Sequence, residues 1–235
     1  MAKRIIMNET GAPEVMQLEE VDLAPPGEGE VQIQQTAIGL NYMDVYQRSG
    51  YYPMATPSPL GLEAAGEIAS VGAGVEGLSV GDRVVYGGVL GAYASARNAP
   101  AARVIRIPDG ISDEIAAAAL MKGMTVEYLL ERTYKVQPGD KVLFFAASGG
   151  VGQIAGQWGK HLGAEMIGVT SGADNCARAL EQGYAHAIDR KTEDIAARVK
   201  EITGGAGVPV VYDLSLIHIS EPTRPAPLSR MPSSA

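Results

Sequence analysis

The stretch that most limits what this chain can fold into is residues 141–160, KVLFFAASGGVGQIAGQWGK. Residues 142–146 are apolar with no polar alternation, the pattern of a strand buried on both faces. They run directly into Ala147-Ser148-Gly149-Gly150-Val151-Gly152, after which residues 153–161 read as a helix ending before Gly163. Strand, tight turn and helix aim free backbone N–H groups at a phosphate. The turn is G-x-G-x-x-G with Ala147 in the first glycine place. Gly149 lets the main chain approach a pyrophosphate, and Gly152 lets the helix pack against the strand. Turns of this kind also occur without a ligand, so the surrounding chain decides their meaning.

The chain of 235 residues is long enough for one large or two modest domains, and 46% hydrophobic with 20% charged residues is ordinary for a soluble globular protein. A formal charge of -8 without a basic stripe argues against nucleic acid as a partner, but not against a phosphate-bearing cofactor held by a few local cations. Cys176 is the only cysteine, which excludes an internal disulfide and a four-cysteine zinc lobe. No apolar run approaches the roughly 20 residues of a membrane helix, and the start has no signal-peptide layout. A cytoplasmic protein with no membrane partner is expected. Residues 214–235 are proline- and serine-rich, and LSLIHISEPTR resembles the conceptual translation of a transposase sequencing adapter. This tail is read as non-native, with the natural frame continuing after Asp213, and is left out of fold reasoning.

Residues 4–108 read as β. Val31 and Ile33 alternate with Gln32 and Gln34 as in a half-buried strand, and further strands are expected at 64–71, 83–86, 92–96 and 104–107. Gly- and Pro-rich turns separate them, which indicates a compact antiparallel barrel. Ser112 is a plausible helix cap with Asp113 and Glu114 in the first turn, followed by helical runs at 115–121 and 125–134. Beyond the central strand come a strand at 165–169, a helix at 173–181, a strand at 187–188, a helix at about 193–202 capped by Thr192, and a strand at 208–212. This alternation specifies an α/β fold with a parallel, doubly wound sheet. Four of its strands are present, where a complete dinucleotide-binding sheet has six.

The ordered motifs GDKVLFFAASGGVG with Gln157 and Lys160, AIGLNYMDVYQRSG (37–50), GLEAAGEIASVG (61–72), GDRVVY (81–86) and MKGMTVEYLL (121–130) resemble the medium-chain dehydrogenase/reductase superfamily. The similarity runs over residues 1–213 and is nearest to its zinc-independent, zeta-crystallin-like quinone oxidoreductases. The resemblance implies a GroES-like barrel with the substrate and catalytic groups (1–112) and an incomplete Rossmann domain (113–213). It also implies a nicotinamide dinucleotide as cofactor, NADPH before NADH on the residues considered below, a quinone or enone as substrate, and a homodimer of the intact protein. The two places where a zinc ligand would be expected hold Asn41-Tyr42 and Leu62, none a zinc ligand by type, so no metal is expected. Without a Lewis acid, an acceptor that is already electrophilic is the better match. The resemblance puts Asn41, Tyr42, Met43 and Asp44 at the nicotinamide end and has Tyr46 and Tyr52 lining the acceptor pocket. It also turns Thr125 and Tyr128 to the nicotinamide ribose and phosphate. Asp44 could equally brace its loop, Tyr52 be a surface aromatic, and Thr125 and Tyr128 pack the helix.

An acidic residue about 20 positions after the turn would bind a ribose 2′-hydroxyl. Ser171 stands there instead, followed by Gly172, which leaves room for a 2′-phosphate. Where related sequences have a lysine this chain has Asn175, and where they have a tyrosine it has Arg190. Arg190, with Arg178, is expected to supply the positive charge, the alternative being two solvated surface arginines. Cys176 reads as a semi-buried packing residue. The expected function is NADPH-dependent quinone reduction without metal. The alternatives are an enone or alkenal double-bond reductase and a non-catalytic dinucleotide-binding protein of crystallin type. With only four strands, the chain as written is expected to be poorly soluble or inactive.

Overall fold

The computed structural model describes residues 1–214. The segment 214–235, expected above to be non-native, therefore lies outside the described residues, apart from Leu214. The chain divides into two compact units, Met1–Lys122 and a second beginning at Gly123. The division falls later than the expected 112/113 boundary. The first turns of helix α2 (Asp113–Glu127) bury Ala116 and Ala117 against Ala65, Val85 and Ile107 of the first unit.

The first unit contains β1 (Ala2–Met7), β2 (Met16–Val21), β3 (Glu30–Gly39), helix α1 (Tyr42–Ser49), β4 (Ser58–Pro59), β5 (Glu63–Val71), β6 (Arg83–Gly87), β7 (Ala96–Pro100) and β8 (Val104–Arg106). The expected barrel is built as two antiparallel sheets, in the orders β7-β3-β5-β6-β8 and β2-β1-β4. Val31 and Ile33 fall on one face with Ala64, Ile68, Val84 and Tyr86, while Ala65 and Val85 fall on the other. Period-two alternation thus feeds two cores. The strand expected at 92–96 lies at Ala96–Pro100 instead. Its backbone is taken up elsewhere before that point: Tyr93 donates to Leu60 O, and Ser95 to Lys3 O. Only the isolated bridge Arg4–Ala94 remains there. Helix α1, inside a region read as wholly β, was not foreseen. Its signals are Asn41 as N-cap, Asp44 three residues on, and Gly50 in the left-handed conformation at its end.

In the second unit α2 continues without a break into a π-helical segment, Tyr128–Thr133, in place of the two helical runs expected. Gly123 is tolerated within the helix. Strands β9 (Lys141–Phe145), β10 (Glu165–Thr170), β11 (His186–Asp189) and β12 (Val210–Tyr212) form a parallel sheet in the order β11-β10-β9-β12. Helices α3 (Gly150–His161), α4 (Ala173–Glu181) and α5 (Ile195–Ile202) connect them. Val142 and Phe144 enter one core with Met166, Tyr184 and Tyr212, whereas Leu143 enters the other with Ile167, Val169 and Ile188. Burial on both faces is why these strands show no polar alternation. Helix α5 is capped by Asp194, whose carboxylate accepts from Ala197 N–H at 2.9 Å; the expected cap, Thr192, instead donates its N–H to Asp189 O in a turn. At the N-terminal edge of the sheet Glu165 accepts from Lys141 and meets His186, and the bond to Lys141 is the main reason its carboxyl is held below the usual range.

Candidate functional site

The turn after β9 is formed by a residue other than the one the sequence pattern designates. Ala146, at φ 55°, is the only non-glycine with a positive φ among the described residues. The left-handed step therefore falls one position before the first glycine place, and costs an L-residue about 1 kcal/mol. Ala147 is then fully buried, and its N–H pairs with Val169 O at 3.1 Å. Gly149 is the N-cap of α3, and Gln153 N–H reaches back to Gly149 O at 2.9 Å. The amides of Gly150, Val151 and Gly152 open the helix and have no intrahelical acceptor. A Cβ on Gly152 would lie 2.4 Å from both Ala146 O and Ala147 O, so only glycine lets the helix begin this close to the strand. Exposed Gly149 and Gly150 lie over the positive end of the helix dipole, a cradle that fits a pyrophosphate.

The expected 2′-recognition residues come together at the same sheet edge. Ser148 Oγ lies 2.7 Å from Thr170 Oγ1, tying the turn to the end of β10. Arg190 N–H pairs with Thr170 O at 3.0 Å, and its Nε donates to Ser171 Oγ at 2.6 Å. Asn175 Nδ2 donates to Ser171 O at 2.8 Å. Gly172, at φ 86°, donates its N–H to Asp189 Oδ1 at 2.9 Å. Asp189 spends that oxygen on Gly172 and Lys191 amides, which hold its carboxyl below the usual range. The exposed guanidinium of Arg190 keeps both terminal NH2 groups for an anion, the geometry suited to a phosphate. Arg178 is exposed on α4 and is not drawn into this group. Cys176 is half-buried as expected. Burial raises its thiol pKa, and the charges of Asp189 and Glu193, absent from its sequence neighbourhood, add to the effect.

In the first unit the loop before α1 carries a second group. Asp44 is buried and accepts at Oδ2 from Asn41 N–H and from Tyr93 Oη, both at 2.9 Å, so it braces the loop. Asn41 sends its amide elsewhere: Nδ2 donates to Glu63 Oε1 at 2.9 Å, and Oδ1 accepts from Lys122 Nζ at 3.1 Å. Lys122 also pairs with Glu63 Oε1 at 2.8 Å, and Met121 N–H donates to Glu63 Oε2 at 3.0 Å. Tyr46 is the buried hub of a tyrosine cluster, its ring 5.0 Å from Tyr42 and Tyr51 and 5.5 Å from Tyr52. Burial first, then these rings, raises the pKa of its hydroxyl. Tyr52 is 38% exposed, Met43 is half-buried, and Tyr42 lies at the surface. In the second unit Thr125 sits in the last turn of α2, and Tyr128, 46% exposed, begins the π-helical segment. Among the described residues no group of three or more His, Cys, Asp or Glu could hold a metal ion, and no helix could cross a membrane.

Burial raises the pKa of Asp44, while the Asn41 and Tyr93 bonds oppose the shift. A carboxyl whose pKa is raised on folding contributes stability at low pH that is lost as pH rises through its folded value. Asp44→Asn, whose single carbonyl can take both bonds, should gain stability relative to the parent as pH rises from 4 to 7. Urea unfolding at the two pH values measures this, and a gap that does not widen toward neutrality would refute it.

Sequence reading missed Glu63, Tyr93 and Lys122. The available signal was a lone acid and a lone base inside small-residue and apolar runs, GLEAAG and LMKGM. Nothing in one dimension pairs residues so far apart.

Comparison with known proteins agrees with this architecture. Residues 27–109 match the family model described as alcohol dehydrogenase GroES-like domain, and residues 150–220 the one described as zinc-binding dehydrogenase. A quinone oxidoreductase of Salmonella typhimurium is 51% identical over 215 residues, covering 91% of this chain and 66% of its own length. A 2-haloacrylate reductase of a Burkholderia species is 43% identical over 220 residues, 91% of this chain and 66% of its own. The crystal structure of Escherichia coli quinone oxidoreductase complexed with NADPH superposes with a TM-score of 0.88 at 48% identity, over 90% of this chain and 65% of that one. The chain thus spans about two thirds of the length of these relatives, and over that span it belongs to the quinone oxidoreductases of the medium-chain dehydrogenase/reductase superfamily.

Proposed function

We propose that the chain carries the barrel and part of the cofactor domain of an NADPH-dependent quinone oxidoreductase working without a metal. The observation that carries this reading is the convergence of a glycine turn with free amides and Arg190 on Ser171 at one sheet edge. It is supported by the NADPH complex of the E. coli relative. Bound NADPH supplies the hydride. The amides of Gly150, Val151 and Gly152 hold the pyrophosphate, with Gly149 giving it access. Ser171, Gly172, Asn175 and Arg190 receive the 2′-phosphate, and Thr125 and Tyr128 serve the ribose side. Asn41 orients the reacting ring through its amide, Tyr42, Met43 and Asp44 shape that loop, and Tyr46 and Tyr52 form an aromatic wall for a planar acceptor. A metal-free reaction follows from the residue types, since Asn41, Tyr42 and Leu62 are not zinc ligands. For the intact protein, a cytoplasmic homodimer completes the reading.

Arg190→Ala should weaken NADPH binding about 10- to 100-fold, as loss of a charge-assisted hydrogen bond implies, and leave NADH affinity within twofold. Fluorescence titration with both nucleotides checks this; unchanged NADPH affinity overturns the assignment. The haloacrylate reductase relative favours a second reading, reduction of an activated carbon–carbon double bond. Quinone and enone panels assayed side by side separate the two.

A further inference from the structure

Glu63 is fully buried, and its oxygens meet three donors: Asn41 Nδ2, Lys122 Nζ and Met121 N–H. The fold makes space for it, because a Cβ on Gly39 would lie 2.3 Å from Glu63 Cγ and 2.3 Å from Ala117 O. A buried ion pair is seldom the most stabilising choice for such a position, so its geometry invites a functional account. We propose that Glu63 and Lys122 are positioning residues that lock the Asn41 carboxamide in one of its two flip states.

The chemistry of the pair leaves one orientation. A carboxylate only accepts and an ammonium only donates. With Nδ2 on Glu63 and Oδ1 on Lys122, both contacts are favourable; rotating the amide by half a turn would set its oxygen against the carboxylate and its NH2 against the ammonium. Asn41 keeps one N–H after these bonds, so the lock determines which edge it offers as a donor toward a reacting ring. On α1 the Asp44 carboxylate accepts from the Asn41 backbone amide at 2.9 Å, the return half of the capping box. A mobile amide would present the wrong edge part of the time and would have to be ordered in each transition state.

The inference rests on the proposed reaction only for its effect on rate, so the test has two readouts. The paired variant Glu63→Gln with Lys122→Met removes both charges while keeping shape, and should fold. Its NADPH affinity should stay within twofold and its quinone KM within threefold, while kcat falls about 10- to 100-fold. In nitrogen-15 spectra the Asn41 side-chain amide should give sharp, exchange-protected signals in the parent and averaged, rapidly exchanging ones in the variant. Parent-like amide signals in the variant, or an unchanged kcat in an active parent, would overturn the proposal. If the parent oxidises no NADPH yet the amide is freed as described, the lock stands and the assigned reaction fails.

Discussion

Replacing Gly152 with alanine should abolish useful NADPH binding, weakening it by about 100-fold or more, and should destabilise the second unit by about 1–3 kcal/mol through overpacking. The added methyl would sit 2.4 Å from two backbone carbonyl oxygens, Ala146 O and Ala147 O. Backbone in a strained left-handed turn has no spare direction in which to yield, since Ala146 already sits at φ 55° and Ala147 is fully buried. The start of α3 would have to move outward and carry the Gly150 and Val151 amides with it. Gly123→Ala is the matched control: it adds the same methyl inside helix α2, where the new Cβ would meet nothing within 4 Å. Fluorescence titration and thermal unfolding of both variants decide the matter. Equal NADPH affinity in the two would show that the close approach at Gly152 is not what shapes the site.

The second large effect concerns stability in the first unit. Lys122→Met alone should lower stability by about 3–5 kcal/mol, because it leaves the fully buried Glu63 without its cation. That corresponds to a fall in Tm of roughly 10 °C for a chain of this size. Adding Glu63→Gln to that variant should recover most of the loss, since a neutral pair carries no uncompensated buried charge. Urea titration of the single and paired variants measures the coupling directly. A single variant within about 0.5 kcal/mol of the parent, the range of ordinary surface substitutions, would contradict the account.

The tyrosine cluster illustrates the boundary between pattern and packing. Tyr46 and Tyr52 entered as candidates through the resemblance, and only the fold makes Tyr46 a buried hub with Tyr52 at its edge. Arg190 and Ser171 were legible as a pair only through resemblance, and the parallel register of β10 and β11 is what joins them, with Thr170 opposite Asp189.

From the sequence alone came the α/β class, the succession of an antiparallel β region and a βαβ region, the four parallel strands and the glycine turn. All of these depend on periodicity and on short-range turn chemistry, which are local properties of a chain. Tertiary structure alone decided that α2 begins on the barrel, that the left-handed step belongs to Ala146, that 92–95 is not a paired strand, and that Asn41 is held between Glu63 and Lys122. Each of these turns on which distant backbone or charge satisfies a buried group, and that depends on neighbours in space rather than neighbours in the chain.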